Sequence, residues 1–214
     1  MASYKLFDKN DNIVNPGELQ NRAIWYQHGV SKEQVFVNQF GPTLDVRLNP
    51  EKEQDATLPD LLHKKHLADL KCQDTPFFRA RKYQVDPTYA VTFNLKDMLQ
   101  YGKFGKNYRD FTIFYWVDWV AVRMEMNNQK YSALPLSGVW RVSLSQLDQM
   151  CQSRPIHWYN QRARHYEISP QRRKLLLQFE PRLKDGENVW AIRGLGDNAA
   201  CSYVFDLRDF EKVG

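Results

Sequence analysis

Residues 57–78, TLPDLLHKKHLADLKCQDTPFF, decide the fold that we predict for this chain. The runs LPDLL and LADLKCQ flank the polar residues 63–66, a pattern typical of two antiparallel strands joined by a tight turn. Successive side chains of a strand point to opposite faces. The second run therefore has an apolar face and a polar face: Ala68, Leu70 and Cys72 against Asp69, Lys71 and Gln73.

The predicted register of this hairpin places two carboxylates next to each other. With the turn centred between Lys64 and Lys65, Asp60 lies directly opposite Asp69. Like charges at such cross-strand positions are destabilising, and a divalent cation is the simplest group that would offset them. The alternative is that Asp60 forms an ion pair with a basic neighbour on a solvated face, and either Lys71 or Arg47 can fill that role.

The hairpin also resembles the signature of a known enzyme family. Pro59-Asp60 on the first strand and Asp69-Leu70-Lys71 on the second are similar to the motif of the PD-(D/E)XK nucleases, and the resemblance covers residues 16–119. It implies an α/β fold with a restriction-endonuclease-like core, in which helices flank a mixed β-sheet. We expect one domain over residues 1–214, with the nuclease-like core at 16–119 and an α+β extension at 120–214.

The resemblance further implies a magnesium-dependent DNA endonuclease that hydrolyses phosphodiester bonds, in a mobile-element or defence setting by analogy. The implied catalytic residues are Asp60, Asp69 and Lys71. The two carboxylates would hold Mg²⁺, for which Mn²⁺ is expected to substitute. Lys71 would orient the attacking water, deprotonate it or offset developing charge, and Gln73 would contact a metal-bound water.

Two further carboxylates are candidate metal ligands. Many nucleases of this family carry a glutamate on the first helix that reaches the metal, and Glu18 has that position in a helix predicted over residues 15–29. Glu18 also completes a capping box with Asn15, which explains it without a metal. Asp45 lies in residues 35–48, which we interpret as two short β-runs interrupted by Gly41-Pro42. It either joins the carboxylates or lies on a solvated strand face.

The rest of the chain contains further predicted elements. The apolar patterns predict a strand at 4–7, a strand at 89–93 followed by a helix ending near Gly102, a central strand at 111–119 and a closing strand at 202–210. Ser143 and Gln146 form a capping-box pattern before a helix with one apolar face.

Basic residues predict contacts with nucleic acid. The chain has a net charge of +5 and a pI of about 9.0. Arg79, Arg81 and Lys82 follow the hairpin, and residues 154–174 contain six basic residues and one acidic residue. Positive charge binds phosphates, and interleaved aromatic rings can stack on bases. The predicted DNA contacts are Arg79, Arg81, Lys82, Arg162, Arg164, Arg172, Arg173 and Lys174.

Other classes of protein stay open or are disfavoured. A nucleic-acid-binding protein that keeps the fold without cleaving is the main alternative, and an interaction module rich in aromatic residues is a third. Three dispersed cysteines argue against a disulfide framework or a zinc site. We expect no signal peptide, no membrane span and a cytoplasmic location. The assembly is left open between a monomer and a homodimer.

Overall fold

The computed structural model describes residues 4–15, 22–55, 57–102, 110–154, 156–158 and 201–214. Within these residues the helices are α1 Arg22–Leu44, α2 Leu95–Tyr101 and α3 Leu144–Cys151. The strands are β1 Tyr4–Phe7, β2 Ile13–Val14, β3 Val46–Leu48, β4 Leu61–His63, β5 His66–Gln73, β6 Ala90–Asn94, β7 Thr112–Asp118, β8 Arg123–Met126, β9 Gln129–Ser132, β10 Ser137–Ser143, β11 Ile156–Trp158, β12 Cys201–Asp206 and β13 Glu211–Lys212.

The central sheet has six strands in the order β13-β10-β7-β5-β4-β3. All neighbours are antiparallel except β5 and β7, which are parallel. A parallel pair requires a crossover between its strands, and here the crossover contains β6 and α2. This connection carries α2 across the sheet to the face on which the polar side chains of β5 lie.

The predicted hairpin and its register are confirmed, but its first strand is β4, Leu61–His63, and does not include residues 58–60. Leu61 pairs with Ala68 and His63 pairs with His66, as a turn centred between Lys64 and Lys65 requires. Both lysines have positive φ angles, 48° and 69°. Two central residues with positive φ are the geometry of a type I′ turn, whose twist matches that of the flanking strands.

Each face of the central sheet is covered by a different core. On one face, α1 packs against β5 and β7, and the buried residues there include Phe36, Leu70 and Phe114. On the other face a larger aromatic core includes side chains of β7, α2, α3 and β12. The predicted central strand is therefore confirmed as β7, since its alternate side chains enter both cores.

The prediction for residues 15–48 is wrong in two respects. The helix does not stop at Gly29, and residues 35–44 belong to α1 and not to a β-run. Phe36, Val37 and Phe40 pack against one core at helical spacing, so tertiary burial overrides the β-propensity of this stretch. Gly41 permits the return of the chain, because a Cβ there would lie 2.7 Å from the carbonyl oxygen of Val46. Only 46–48 of the predicted strand remain, as β3.

Most other predicted elements are present. The strand and helix after residue 89 correspond to β6 and α2. The closing strand predicted over 202–210 corresponds to β12, which ends at Asp206, because Leu207–Asp209 form a 3-10 turn capped by the Asp206 side chain. The Ser143 hydroxyl accepts a hydrogen bond from the Gln146 backbone N–H at 3.1 Å, which caps α3 as expected. Beside the central sheet, the structure contains an antiparallel sheet β2-β1-β8-β9 and an antiparallel sheet β11-β12-β6.

The observed architecture is α/β, with a mixed sheet that has helices on both faces. The central sheet takes β10 and β13 from beyond residue 119, so the predicted core and extension share one sheet. In the described part of the chain, no helix is both long and apolar enough to cross a membrane.

Candidate functional site

The hairpin brings the two predicted carboxylates together where β4 begins. Asp60 precedes β4, and its backbone N–H donates a hydrogen bond to Asp69 Oδ1 at 3.3 Å. Only 3% of Asp69 is exposed, and Asp69 lies on the face of β5 that is turned towards the aromatic core. This face is therefore polar but not solvated, which separates the pair from an ordinary surface arrangement.

Lys71 lies between two carboxylates beneath α2. Its Nζ is 2.7 Å from Asp69 Oδ2 and 2.7 Å from Asp97 Oδ2, and it donates to the Tyr101 hydroxyl at 3.2 Å. Asp97 and Tyr101 are four residues apart, so they share one face of α2. The ammonium group also lies 5.7 Å from the centre of the Phe93 ring. The crossover helix therefore fixes the position of this lysine.

Asp60 has a second set of charged neighbours. Lys52 forms an ion pair with Asp60, and its Nζ lies 3.1 Å from Glu33 Oε1 on α1. An acidic residue of the first helix therefore reaches the site, but it is Glu33. Glu18 lies outside the described residues. We refer to Glu33, Lys52, Asp60, Asp69, Lys71 and Asp97 as the charged cluster.

The charged cluster contains more acidic than basic residues, and this excess of negative charge shifts the pKa values of its members. Burial, together with the charges of Asp69 and Glu33, raises the pKa of Asp60 to about 8, although Lys52 and Lys71 act in the opposite direction. Burial disfavours the Asp69 carboxylate, but Lys71 and the hydroxyl of Tyr101 outweigh burial and hold its pKa below the usual range. Burial likewise disfavours the charged form of Lys71, yet Asp69 and Asp97 raise its pKa well above its ordinary value.

The raised pKa of Asp60 predicts how stability depends on pH. A carboxyl whose pKa rises on folding, here from 3.8 to about 8, keeps its proton in the folded state and loses it on unfolding. The folded state then binds more protons, so stability falls as pH rises through this window, by at most about 1.4 kcal/mol per pH unit. We expect Asp60→Asn to remove this fall, so that the variant exceeds wild type in stability at pH 8 and not at pH 4.

Urea unfolding in EDTA between pH 4 and pH 9 measures this effect. Asp118→Asn, on an exposed residue of β7, is the matched control and should follow the wild-type curve. Parallel curves for wild type and Asp60→Asn would contradict the assigned environment of Asp60.

Gln73 and Asp45, the two other predicted site residues that the structure describes, are not members of the charged cluster. The Gln73 amide donates to the carbonyl oxygen of Thr92 at 2.8 Å and accepts from the Thr92 backbone N–H at 3.4 Å, which ties β5 to β6. Asp45 is exposed, has a φ of 52° and accepts a hydrogen bond from the Lys64 N–H through its backbone oxygen. It therefore lies beside the hairpin turn, at the end of the β3–β4 pair away from Asp60.

The predicted DNA contacts divide into two groups. Arg79, Arg81 and Lys82 line a cavity whose lining contains no member of the charged cluster. The other five lie outside the described residues: Arg162, Arg164, Arg172, Arg173 and Lys174.

Asp60 and Asp69 are the members of the charged cluster that could hold a metal ion. Within the described residues, no group of three or more Asp, Glu, His or Cys side chains is arranged to hold a metal ion. Mg²⁺ is commonly bound by one or two carboxylates, with water and substrate phosphate completing its coordination. Asp60 and Asp69 supply two carboxylates, and the ion pairs join four acids to two lysines. A bound cation would offset the remaining negative charge.

The sequence alone did not identify Glu33, Lys52, Asp97 and Tyr101 as site residues. One signal was available for Asp97 and Tyr101, since their spacing of four residues places both on one face of a short helix that follows a strand. Lys52 and Glu33 come from a charged loop and from a helix that was predicted to end too early. Neither had a pattern pointing to the hairpin.

The chain matches no protein-family model, no curated protein and no solved structure in the comparisons.

Proposed function

We propose that this protein is a magnesium-dependent DNA endonuclease whose reaction takes place at Asp60, Asp69 and Lys71. The observation that carries the proposal is the arrangement of the hairpin, which holds two carboxylates and a partly buried ammonium group together within a cluster that has an excess of acids. This is the set of groups that the resemblance to the PD-(D/E)XK nucleases implies.

Each of the three residues has a distinct role in the proposal. Asp60 and Asp69 would hold Mg²⁺, which when bound supplies charge stabilisation and an acidified water for phosphodiester hydrolysis. Because the pKa of Asp60 is raised to about 8, Mg²⁺ binding would release the proton that Asp60 carries in the metal-free protein. Lys71 keeps its proton, because the neighbouring carboxylates raise its pKa. We therefore assign it to offsetting negative charge on the phosphate in the transition state, and not to deprotonating the water.

Asp97 and Tyr101 hold the side chain of Lys71 in position. Asp97 and Tyr101 contact its ammonium group from α2, so the crossover helix presets the direction in which the charge points. Preorganised charge of this kind requires little rearrangement during the reaction. Asp97 and Tyr101 are thus positioning residues.

A plasmid cleavage assay tests the proposal. Supercoiled DNA should be converted to nicked and linear forms with Mg²⁺ or Mn²⁺, and it should stay intact with Ca²⁺ or EDTA. Several DNA forms should be offered, including linear and branched duplexes, because the structure specifies no sequence. Absence of metal-dependent cleavage on all of them would refute the enzyme assignment.

Metal binding gives a second prediction that does not depend on finding the correct DNA. A ligand that binds only the folded state stabilises it. Mg²⁺ should therefore raise the melting temperature of wild type more than that of Asp60→Asn, which lacks one of the two carboxylates. Differential scanning fluorimetry across a Mg²⁺ series measures both shifts. Equal shifts in the two proteins would argue against an ion shared by Asp60 and Asp69.

The alternative function is a nucleic-acid-binding protein that does not cleave. The observation in its favour is the cavity lined by Arg79, Arg81 and Lys82, whose charge requires no metal. Adding Mg²⁺ to the DNA complex formed in EDTA distinguishes the two, since both functions predict affinity for DNA but only the nuclease predicts cleavage products.

A further inference from the structure

A cavity of about 630 Å³ lies between the helical turn Ala80–Tyr83 and β9. Its volume falls within the range of small-molecule sites in proteins. Cationic side chains reach it from both sides, and neutral polar side chains of β9 lie beside them. The polar lining consists of Arg79, Arg81, Lys82, Gln129, Lys130 and Ser132.

The positive charge of this cavity is poorly compensated. Among the described residues, no carboxylate forms an ion pair with Arg79, Arg81 or Lys82. Lys130 lies 3.6 Å from Glu125, and that carboxylate is also paired with Arg123. In the described part of the chain, four cations thus face one shared carboxylate, and such an excess of positive charge attracts a ligand with several negative charges.

The neighbourhood of Lys82 supports the same conclusion. Its Nζ lies 3.1 Å from His157 Nδ1, which the Tyr83 hydroxyl also contacts at 2.7 Å, so the polar neighbour of this ammonium group is a neutral ring and not a carboxylate. Burial and the charges of Lys82 and Arg79 lower the pKa of His157 to about 4. His157 therefore stays neutral at pH 7.

The backbone that carries Arg79, Arg81 and Lys82 is well packed. The turn that carries them lies over a small buried core, formed by Ala80, Val85, Ala90 and Val204. On the opposite side, Tyr131 also lines the cavity and offers an aromatic ring on which a base can stack. Cations beside an aromatic ring and hydrogen-bonding groups match a nucleotide better than an isolated phosphate ion.

We propose that this cavity binds the phosphate groups of a single nucleotide, either in a free nucleoside diphosphate or at the phosphorylated end of a DNA strand. Phosphate oxygens would accept hydrogen bonds from the arginines and lysines, which are the strong charge-assisted kind. The site is independent of the proposed hydrolysis, because no residue of the charged cluster lines it.

Isothermal titration of the full chain in EDTA tests the proposal. The probes are ADP and three single-stranded octanucleotides, one with a 5′ phosphate, one with a 3′ phosphate and one with neither. We expect binding of ADP at one site per chain, or binding of a phosphorylated octanucleotide at least about tenfold tighter than the unphosphorylated one. The first result identifies a free nucleotide as the ligand, and the second identifies a strand end.

Variants show whether the cavity is responsible. Arg79→Ala/Arg81→Ala and, separately, Lys130→Ala should weaken binding of the preferred probe at least about tenfold. The matched control Lys9→Ala/Arg47→Ala removes two positive charges from exposed positions elsewhere and should change binding less than about twofold. Thermal unfolding checks that every variant is folded.

Two results would overturn the proposal. One is that wild type neither binds ADP nor discriminates between phosphorylated and unphosphorylated strands. The other is that the cavity variants and the control weaken binding equally, which would show a general charge effect. Neither result bears on the plasmid assay, so failure of this site and failure of the nuclease assignment can be told apart.

Discussion

Lys71→Met is expected to destabilise the protein by about 3–5 kcal/mol at pH 8, because breaking a buried ion pair leaves uncompensated charge behind. Lys71 lies 2.7 Å from both Asp69 and Asp97, and the side chains of those two carboxylates are only 4% and 18% exposed. Methionine is unbranched and one heavy atom shorter than lysine, so it keeps most of the apolar stem and removes the charge together with the hydrogen bonds to Asp97 and Tyr101. The loss should shrink at low pH, where the two acids can take up protons.

A rescue variant separates this explanation from a simple packing defect. Asp97→Asn combined with Lys71→Met removes one of the two stranded charges, so it should recover part of the lost stability. Urea unfolding in EDTA measures each variant at pH 5 and pH 8. Wild-type stability of Lys71→Met at pH 8 would contradict the charge balance that we assign to the cluster.

Asp69→Asn is expected to lower Mg²⁺-dependent DNA cleavage by about a thousandfold or more. The substitution preserves shape and the acceptor for the Asp60 N–H, but it removes a carboxylate from a site with two. Metal ions supply several kcal/mol of charge stabilisation in such reactions, and each 1.36 kcal/mol corresponds to a tenfold change in rate.

The control for this experiment is Asp118→Asn, since Asp118 is exposed at the end of β7. It should cleave at the wild-type rate. DNA binding in Ca²⁺ should be retained by both variants, which would show that the loss in Asp69→Asn lies in the chemistry. Comparable cleavage by Asp69→Asn and wild type would show that this hairpin does not take part in the reaction.

The hairpin could be predicted from the sequence because its information is local. The alternation of side chains along a strand decides which of them share a face. With the turn centred between Lys64 and Lys65, the cross-strand register places Asp60 opposite Asp69. The strand β7 could also be predicted from the sequence, because a strand that is apolar on both faces is typical of the covered centre of an α/β sheet.

The parts of the fold and of the site that the sequence did not predict depend on contacts between residues that are far apart in the sequence. β-branched and aromatic residues between 35 and 40 favour a strand locally, but burial of Phe36 against Phe114 requires α1 to continue through them. Lys52 and Asp97 enter the site only through the packing of a loop and of the crossover helix. Their role cannot be seen before the sheet order is known.

The environment of the polar face of β5 was also beyond sequence reasoning. Alternation shows that Asp69 and Lys71 share a face, and such a face is normally solvated. Here α2 covers it, and Asp97 of α2 joins Asp69 in pairing with Lys71 away from bulk solvent. The chemical character of the site therefore depends on the crossover, and the crossover follows from the parallel pairing of β5 with β7.

Iron-directed cleavage of the protein backbone tests most directly whether a divalent cation binds between Asp60 and Asp69. Fe²⁺ bound in place of Mg²⁺, with ascorbate and peroxide, generates hydroxyl radicals that cut the nearby chain, and mass spectrometry locates the cuts. We predict cuts beside Asp60 and around residues 69–71, suppressed by excess Mg²⁺, absent in Asp60→Asn/Asp69→Asn and retained in Asp118→Asn. Cuts elsewhere, or a pattern that the double variant leaves unchanged, would contradict a cation site at this hairpin.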